Sequence, residues 1–151
     1  MIKKSLRKLS KNISRKNLLN YIDSYIKKIE HKNGQLNEIK VLNIGSGGDI
    51  ENYLRSIFQF VCSVDIDEKR KPDLVIDICK KEHLSQLTFK PNLICIFEVL
   101  EHTKNPISAV NNIYEILDEG GYVLFSSPFI FHIHDEPYDF YRFTKYGLKH
   151  L

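Results

Sequence analysis

Three observations predict an α/β fold built on a mainly parallel sheet. Short apolar runs alternate with stretches of helical spacing from about residue 38 to residue 126, the pattern of strands covered by helices on both faces. The first run, Val41-Leu42-Asn43-Ile44, passes directly into Gly45-Ser46-Gly47-Gly48-Asp49. A glycine turn between a strand and a helix lets the backbone pass close to a ligand. The following runs end on acids, Asp65, Asp77 and Glu98, and ligands of such sheets sit beyond the carboxyl ends of the strands.

The elements follow in chain order. Residues 1–32 hold ten Lys and Arg against Asp23 and Glu30, a net charge of +8, whereas the rest of the chain carries −5. Leu18, Leu19, Ile22, Ile26 and Ile29 keep helical spacing, so Arg15–His31 is expected to be an amphipathic helix docked on the body. The arm, residues 1–32, reads as a solvated helical face; its functional alternative is contact with an anionic membrane surface or glycolipid, which clustered Lys and Arg attract. No nucleic-acid module is recognisable. Residues 33–151 form the core, entered by a turn at Asn33-Gly34. Strands are expected at Glu38–Ile44, Phe60–Val64, Leu74–Ile76, Asn92–Phe97 and Tyr122–Ser126. Helices are expected at Ile50–Phe58, Lys80–Leu87 and Pro106–Leu117, the last stopped by Gly120-Gly121.

Bulk properties narrow the class. A chain of 151 residues can bury one real core. There is no run of about 18 apolar residues to span a membrane, and no apolar segment behind the basic N-terminus to make a secretory signal. Cys62, Cys79 and Cys95 are odd in number and set in apolar runs. They read as buried thiols of a reducing, cytoplasmic compartment, with the basic arm allowing a place at the inner face of the membrane.

The acids discriminate between cofactors. Asp65 lies 20 residues after Gly45, the interval at which an acid reaches ribose hydroxyls. A dinucleotide also wants a third glycine and a bare helix N-terminus for its pyrophosphate, but Ile50 stands at the third position, flanked by Asp49 and Glu51. NAD is disfavoured, and there is no P-loop. A ligand with a ribose, an adenine and a positive centre suits the site, and S-adenosylmethionine is one.

These residues carry a family resemblance. Val41–Asp49, Val64–Asp67, Asp77-Ile78, the strand-four stretch 91–102 ending Val99-Leu100-Glu101-His102, and 119–128 with its Gly120-Gly121 and Pro128 resemble, in order, the motifs of class I S-adenosylmethionine-dependent methyltransferases of the methyltransferase-11-like group. The resemblance implies a Rossmann-like, doubly wound sheet of strand order 3-2-1-4-5. It also implies that Gly45, Ser46 and Gly47 line the methionine and ribose portion, that Asp65 with Ile66 serves the ribose, and that Asp77 with Ile78 serves the adenine. Glu98 lies near the methionine end. Two positions depart from the pattern. Asn43 stands where an acid usually helps hold the cofactor's amino group, and Asp49 replaces a glycine. The family's usual last two strands are missing here, so strand five is expected to present an open edge that invites a partner strand or a second copy.

The stretch Pro128–Thr144 is expected to be a loop at the carboxyl end of strand five, where substrate pockets form. It resembles a segment of methyltransferases encoded with bacterial surface-polysaccharide synthesis, which implies a sugar or glycolipid hydroxyl as acceptor. Asp135, Glu136, Tyr138 and Arg142 are candidate substrate contacts. His102 reads as capping or packing after strand four, and otherwise as a further contact. A hydroxyl acceptor must lose a proton, and His132 or His134 is the candidate base. His132, His134, Asp135 and Glu136 lack a second ligand cluster, so no metal is expected. Asp135, Glu136, Asp139 and Arg142 are expected to pair and fix the loop over Tyr138, Phe140 and Tyr141. Thr144 is expected to cap a final helix beginning at Lys145. The function so implied is methyl transfer to a small molecule or glycan; the alternative is a non-catalytic binding or scaffold subunit completed by a partner.

Overall fold

A computed structural model describes the backbone of residues 2–33 and 36–151, and the side chains of residues 9, 12–32 and 36–151. The chain divides into two compact units, Met1–Leu36 and Asn37–Leu151. In the first, helix α1 runs Ile2–Asn33, well past the expected Arg15–His31. The residues before Arg15 include no Gly or Pro to stop a helix, and basic residues are good helix formers. Asp23 and Lys27 pair across one turn at 2.8 Å. The turn expected at Asn33-Gly34 falls partly outside the described residues, because Asn33 closes α1 and residues 34 and 35 are not described.

The second unit holds the sheet. Its strands are β1 (Lys40–Ile44), β2 (Phe60–Asp65), β3 (Leu74–Val75), β4 (Leu93–Phe97) and β5 (Tyr122–Ser126). All pairings are parallel and the order is β3-β2-β1-β4-β5, as the motifs imply. Between the strands lie α2 (Gly48–Ile57) and α3 (Pro106–Ile116), with α4 (Lys145–Leu148) last. The central strands are buried on both faces, and all five residues of β4 are buried, which is why their sequences are continuous apolar runs rather than alternating ones. The core gathers Leu42, Ile44, Val64, Ile76, Ile94, Ile96 and Ile113.

Most elements match the sequence reading within two residues, and the differences have local causes. β1 starts at Lys40, because Leu36–Glu38 forms a 3-10 turn. The segment expected as a helix over Lys80–Leu87 is a 3-10 helix, Lys81–Gln86. Asn105 caps α3, its Oδ1 accepting from the Ser108 N–H at 3.1 Å, with Pro106 at the first helical position. Gly121 is required: a Cβ there would stand 2.8 Å from Leu117 Cδ1 and 2.9 Å from the Asn92 carbonyl. Thr144 does cap the last helix, accepting from Gly147 N–H at 3.0 Å. Among the described residues no helix is long and apolar enough to cross a membrane. Cys62 and Cys95 are buried, Cys79 is half-buried, and all three are free thiols. Burial pushes the Cys95 thiol up to about 12.

Candidate active site

The turn after β1 is shaped by three glycines in left-handed conformations, Gly45 at φ 93°, Gly47 at 91° and Gly48 at 78°. A Cβ on Gly45 would come within 2.7 Å of Val99 Cγ2, whereas Cβ atoms on Gly47 and Gly48 would meet nothing within 4 Å. The turn is therefore packed against the end of β4 on one side and open on the other. Ser46 is buried, and its N–H donates to Asp65 Oδ2 at 2.8 Å. Asp65 Oδ1 accepts from the Asp67 N–H at 2.9 Å, so both oxygens of this acid are oriented by main chain. Arg70 Nε stands 3.7 Å from Oδ2 on an exposed side chain. Lone pairs remain on the carboxylate for a diol, and Ile66, 69% exposed, offers an apolar face beside it.

The start of α2 is closed to phosphate. Glu51 Oε2 accepts from the Gly47 N–H and from the Ser46 hydroxyl, occupying the donors a pyrophosphate would use. Burial pushes the Glu51 carboxyl up, but the Gly47 N–H, Arg55 and the Ser46 hydroxyl outweigh it and hold the group below its ordinary value. Arg55 joins Glu51 at 2.8 Å, Asp73 Oδ2 at 2.6 Å and the Val61 carbonyl at 3.0 Å. Asp73 Oδ2 also accepts from the Ser63 N–H at 2.7 Å. One guanidinium thus ties α2 to β2 and to the loop before β3.

The remaining cofactor candidates line the same edge of the sheet. Asn43 is buried at the end of β1, its Nδ2 donating to the Gly45 carbonyl at 3.0 Å, so the residue that departs from the family pattern braces the turn. Asp77 follows β3; its Oδ1 accepts from Cys79 N–H at 3.0 Å and its own N–H donates to His83 Nδ1 at 3.2 Å. Ile78 lies in the core. Glu98 adopts φ 55° directly after β4, with its N–H donating to the Ser126 carbonyl at 2.9 Å. A non-glycine residue held in that region is sterically costly and is retained where surroundings enforce it.

The loop after β5 folds back over the end of β4. Phe140 and Tyr141 N–H groups donate to the Glu101 carbonyl at 2.9 and 3.2 Å, and His102 Nδ1 lies 2.9 Å from the Tyr138 carbonyl. Asp139 is the centre of the loop: Arg142 grips it bidentately at 2.6 and 2.7 Å, and the His134 N–H donates to it at 2.9 Å. The Arg142 hydrogen bonds hold the Asp139 carboxyl far below the usual carboxylate range, against the opposing effect of desolvation. Here two expectations are corrected. Asp135 and Glu136 are exposed and join no ion pair among the described residues, because the Arg142 donors go to Asp139 and to the Tyr141 and His132 carbonyls. Tyr138, Phe140 and Tyr141 do not pack beneath the loop but are exposed; Phe143, stacked on Tyr141 with centroids 5.3 Å apart, is the ring that reaches the core.

The two candidate histidine bases have ring centroids 6.2 Å apart but different surroundings. His132 is exposed, its ring 4.4 Å from that of Phe131. His134 turns toward β4, its ring 4.7 Å from that of His102 in an edge-to-face contact. Glu101, His102 and His134 come together here, 33 residues apart at the extremes, and among the described residues His134 shares nothing of this kind with Asp135 or Glu136. Glu101 was not legible as part of a site. It is fully buried, Oε2 accepts from the Ser127 hydroxyl at 3.2 Å, and Oε1 has no hydrogen-bond partner among the described residues. Burial pushes this carboxyl up, against the opposing effects of its own main chain, His102 and Ser127. An acid beside His102 at the end of an apolar strand was the available signal.

The parallel sheet thus carries a glycine turn after its first strand, an acid oriented by main chain after its second, and a carboxylate at the start of α2 that already holds the turn's donors. The sequence profile of the methyltransferase domain matches residues 8–150. The chain belongs to the methyltransferase-domain family, whose members typically use S-adenosylmethionine, and its reaction class is methyl transfer. No curated protein matches the chain.

Proposed function

We propose that this chain binds S-adenosylmethionine across the ends of β1, β2 and β4 and transfers its methyl group to a hydroxyl of a sugar or glycolipid. The observation that carries the cofactor reading is the Ser46–Asp65 hydrogen bond, which sets a doubly oriented acid beside an open glycine turn. Asp65 receives the ribose hydroxyls, Ile66 offers its face to the base, Asp77 serves the adenine amino group, and Gly47 leaves room for the chain of the amino acid. Asn43 contributes an amide where a charge would bind the amino group more strongly.

When bound, S-adenosylmethionine supplies a methyl carbon on a sulfonium. The acceptor oxygen forms the new bond to that carbon, the C–S pair leaves with sulfur as a neutral thioether, and the hydroxyl proton must depart. Alignment at near-contact distance provides most of what a protein adds to such a displacement. The loop 128–144 covers the end of β4 and contributes Tyr138 and Arg142 beside the acceptor's place. The Glu101–His102–His134 cluster lies beside the acceptor's place, whereas His132 stands outside it. A polar, aromatic loop of this kind favours a polyhydroxyl acceptor, and the basic α1 favours one carried on an anionic surface.

Calorimetric titration tests the cofactor: S-adenosylmethionine binds and NAD does not. Labelled methyl is then expected on lipid-linked or nucleotide-linked sugar intermediates. Equal binding of NAD, or no binding of S-adenosylmethionine to the folded chain, overturns the assignment; label on protein or nucleic acid instead overturns the acceptor class.

A further inference from the structure

We propose that Glu101, His102 and His134 form a binding site for one first-row divalent transition ion, of the class of zinc, manganese or cobalt(II). One ligand atom from each lies within 4.8 Å of the other two. Two imidazoles and one carboxylate are a donor set that such ions favour over magnesium or calcium.

Two independent features point the donors inward. Glu101 Oε1 is buried and accepts no hydrogen bond from the described residues, and a buried carboxylate oxygen left without a partner is costly unless a cation compensates it. His102 Nε2 is 3.8 Å away, too far for a hydrogen bond to relieve it. The second feature is tautomeric. His102 Nδ1 lies 2.9 Å from the Tyr138 carbonyl, and His134 Nδ1 lies 3.2 Å from both Asp139 Oδ2 and the His132 carbonyl. Those oxygens only accept, so each Nδ1 carries a proton and the nitrogen left for an ion on each ring is Nε2. An Nδ1–H anchored on a carbonyl or carboxylate is the outer support that metal-ligating histidines ordinarily have. Arg142, gripping Asp139, fixes the second ring in turn.

Ligands at about 2.0–2.2 Å from a zinc-sized ion stand roughly 3–3.5 Å apart, so the trio closes by roughly 1 Å on binding. Three protein ligands leave a coordination position open. On the reading that the acceptor is a hydroxyl, which this role rests on, that position takes the acceptor oxygen and eases loss of its proton to solvent.

The full-length chain, stripped with a chelator, is titrated with cobalt(II) and followed by visible absorption and calorimetry. One equivalent is expected, displaced by zinc, with affinity lost at least about 10-fold in Glu101→Gln and in His134→Gln, weakened about 10-fold in Asp139→Asn, and unchanged in the surface control His150→Gln. Where a variant does not fold by circular dichroism, the wild-type spectrum decides: absorption of a cobalt ion with nitrogen ligands supports the site. No binding to the folded wild type, or wild-type affinity in folded Glu101→Gln and His134→Gln, overturns it. S-adenosylmethionine titrated into the same samples separates the two readings, since loss of cofactor binding with cobalt binding intact sinks the methyl-donor assignment and leaves the ion site standing.

Discussion

The Ser46 N–H donates to Asp65 Oδ2 at 2.8 Å, so the turn after β1 and the end of β2 act as one piece. Asp65→Ala removes the acceptor for two main-chain donors and the contact to a ribose together. S-adenosylmethionine affinity is expected to fall at least about 10-fold, the scale of one lost charge-assisted hydrogen bond or more. Asp65→Asn is expected to fall between, because its amide keeps one acceptor oxygen. Calorimetry with unchanged affinity in both variants would remove Asp65 from the site.

Gly45→Ala places a methyl group 2.7 Å from Val99 Cγ2 at a φ of 93°, a conformation costing about 1–3 kcal/mol for a residue with a side chain. A lower urea midpoint is expected. Gly47→Ala shares the positive φ but meets no atom, so its loss is expected to be smaller, and adding Val99→Ala is expected to recover part of the Gly45→Ala loss only.

Acid should unfasten the Arg55 network. Glu51 and Asp73 both sit below their ordinary values of 4.5 and 3.8: burial opposes this, and hydrogen bonds from Gly47 N–H and Arg55 for Glu51, and from Ser63 N–H and Arg55 for Asp73, prevail. Groups with lowered folded values stabilise above their unfolded values, and that contribution fades as pH falls through the folded ones. Wild type is therefore expected to lose stability below about pH 4.5 more steeply than Glu51→Gln or Asp73→Asn. At neutral pH each variant costs about 1 kcal/mol or less, since Arg55 is half in solvent.

Glu101 has the opposite sign. Its carboxyl is raised above 4.5, first by burial, so its contribution is fully present below that value and is lost as pH rises through the folded one. In chelator-treated protein, Glu101→Gln is expected to match wild type near pH 4 and to exceed it at pH 8, by about 1 kcal/mol or roughly 2–4 °C for a chain of this length. A melting series giving the same difference at both pH values would contradict a buried carboxylate held mainly by the one Ser127 hydrogen bond.

Arg142→Lys tests the loop. A lysine cannot reproduce the two-pronged grip on Asp139, so amide exchange is expected to quicken through residues 132–142 and not in β4. Protection equal to wild type would show that the loop is held by its main-chain bonds to Glu101 alone.

Much of this was legible in the chain. The alternation of apolar runs with helical stretches carried β1 to β5, and the family resemblance implied their order; strands buried on both faces leave continuous runs, and local capping residues such as Asn105 and Thr144 mark the helix ends. The glycine turn and Asp65 were legible through spacing. Other features were not. Lys81–Gln86 kept a helical composition yet took the tighter 3-10 form. Asp135 and Glu136 looked as eligible for Arg142 as Asp139 did, because composition does not say which carboxylate a guanidinium will reach.

Local patterning therefore accounts for the strands and the family motifs, since each rests on residues near one another in the chain, and the strand order follows from the resemblance that those motifs carry. The meeting of His134 with His102, the isolation of Glu101 Oε1 and the bridging by Arg55 belong to the tertiary structure. Each depends on where a loop without periodicity lands after crossing the carboxyl edge of the sheet, and on which buried polar atoms the packing leaves without a partner.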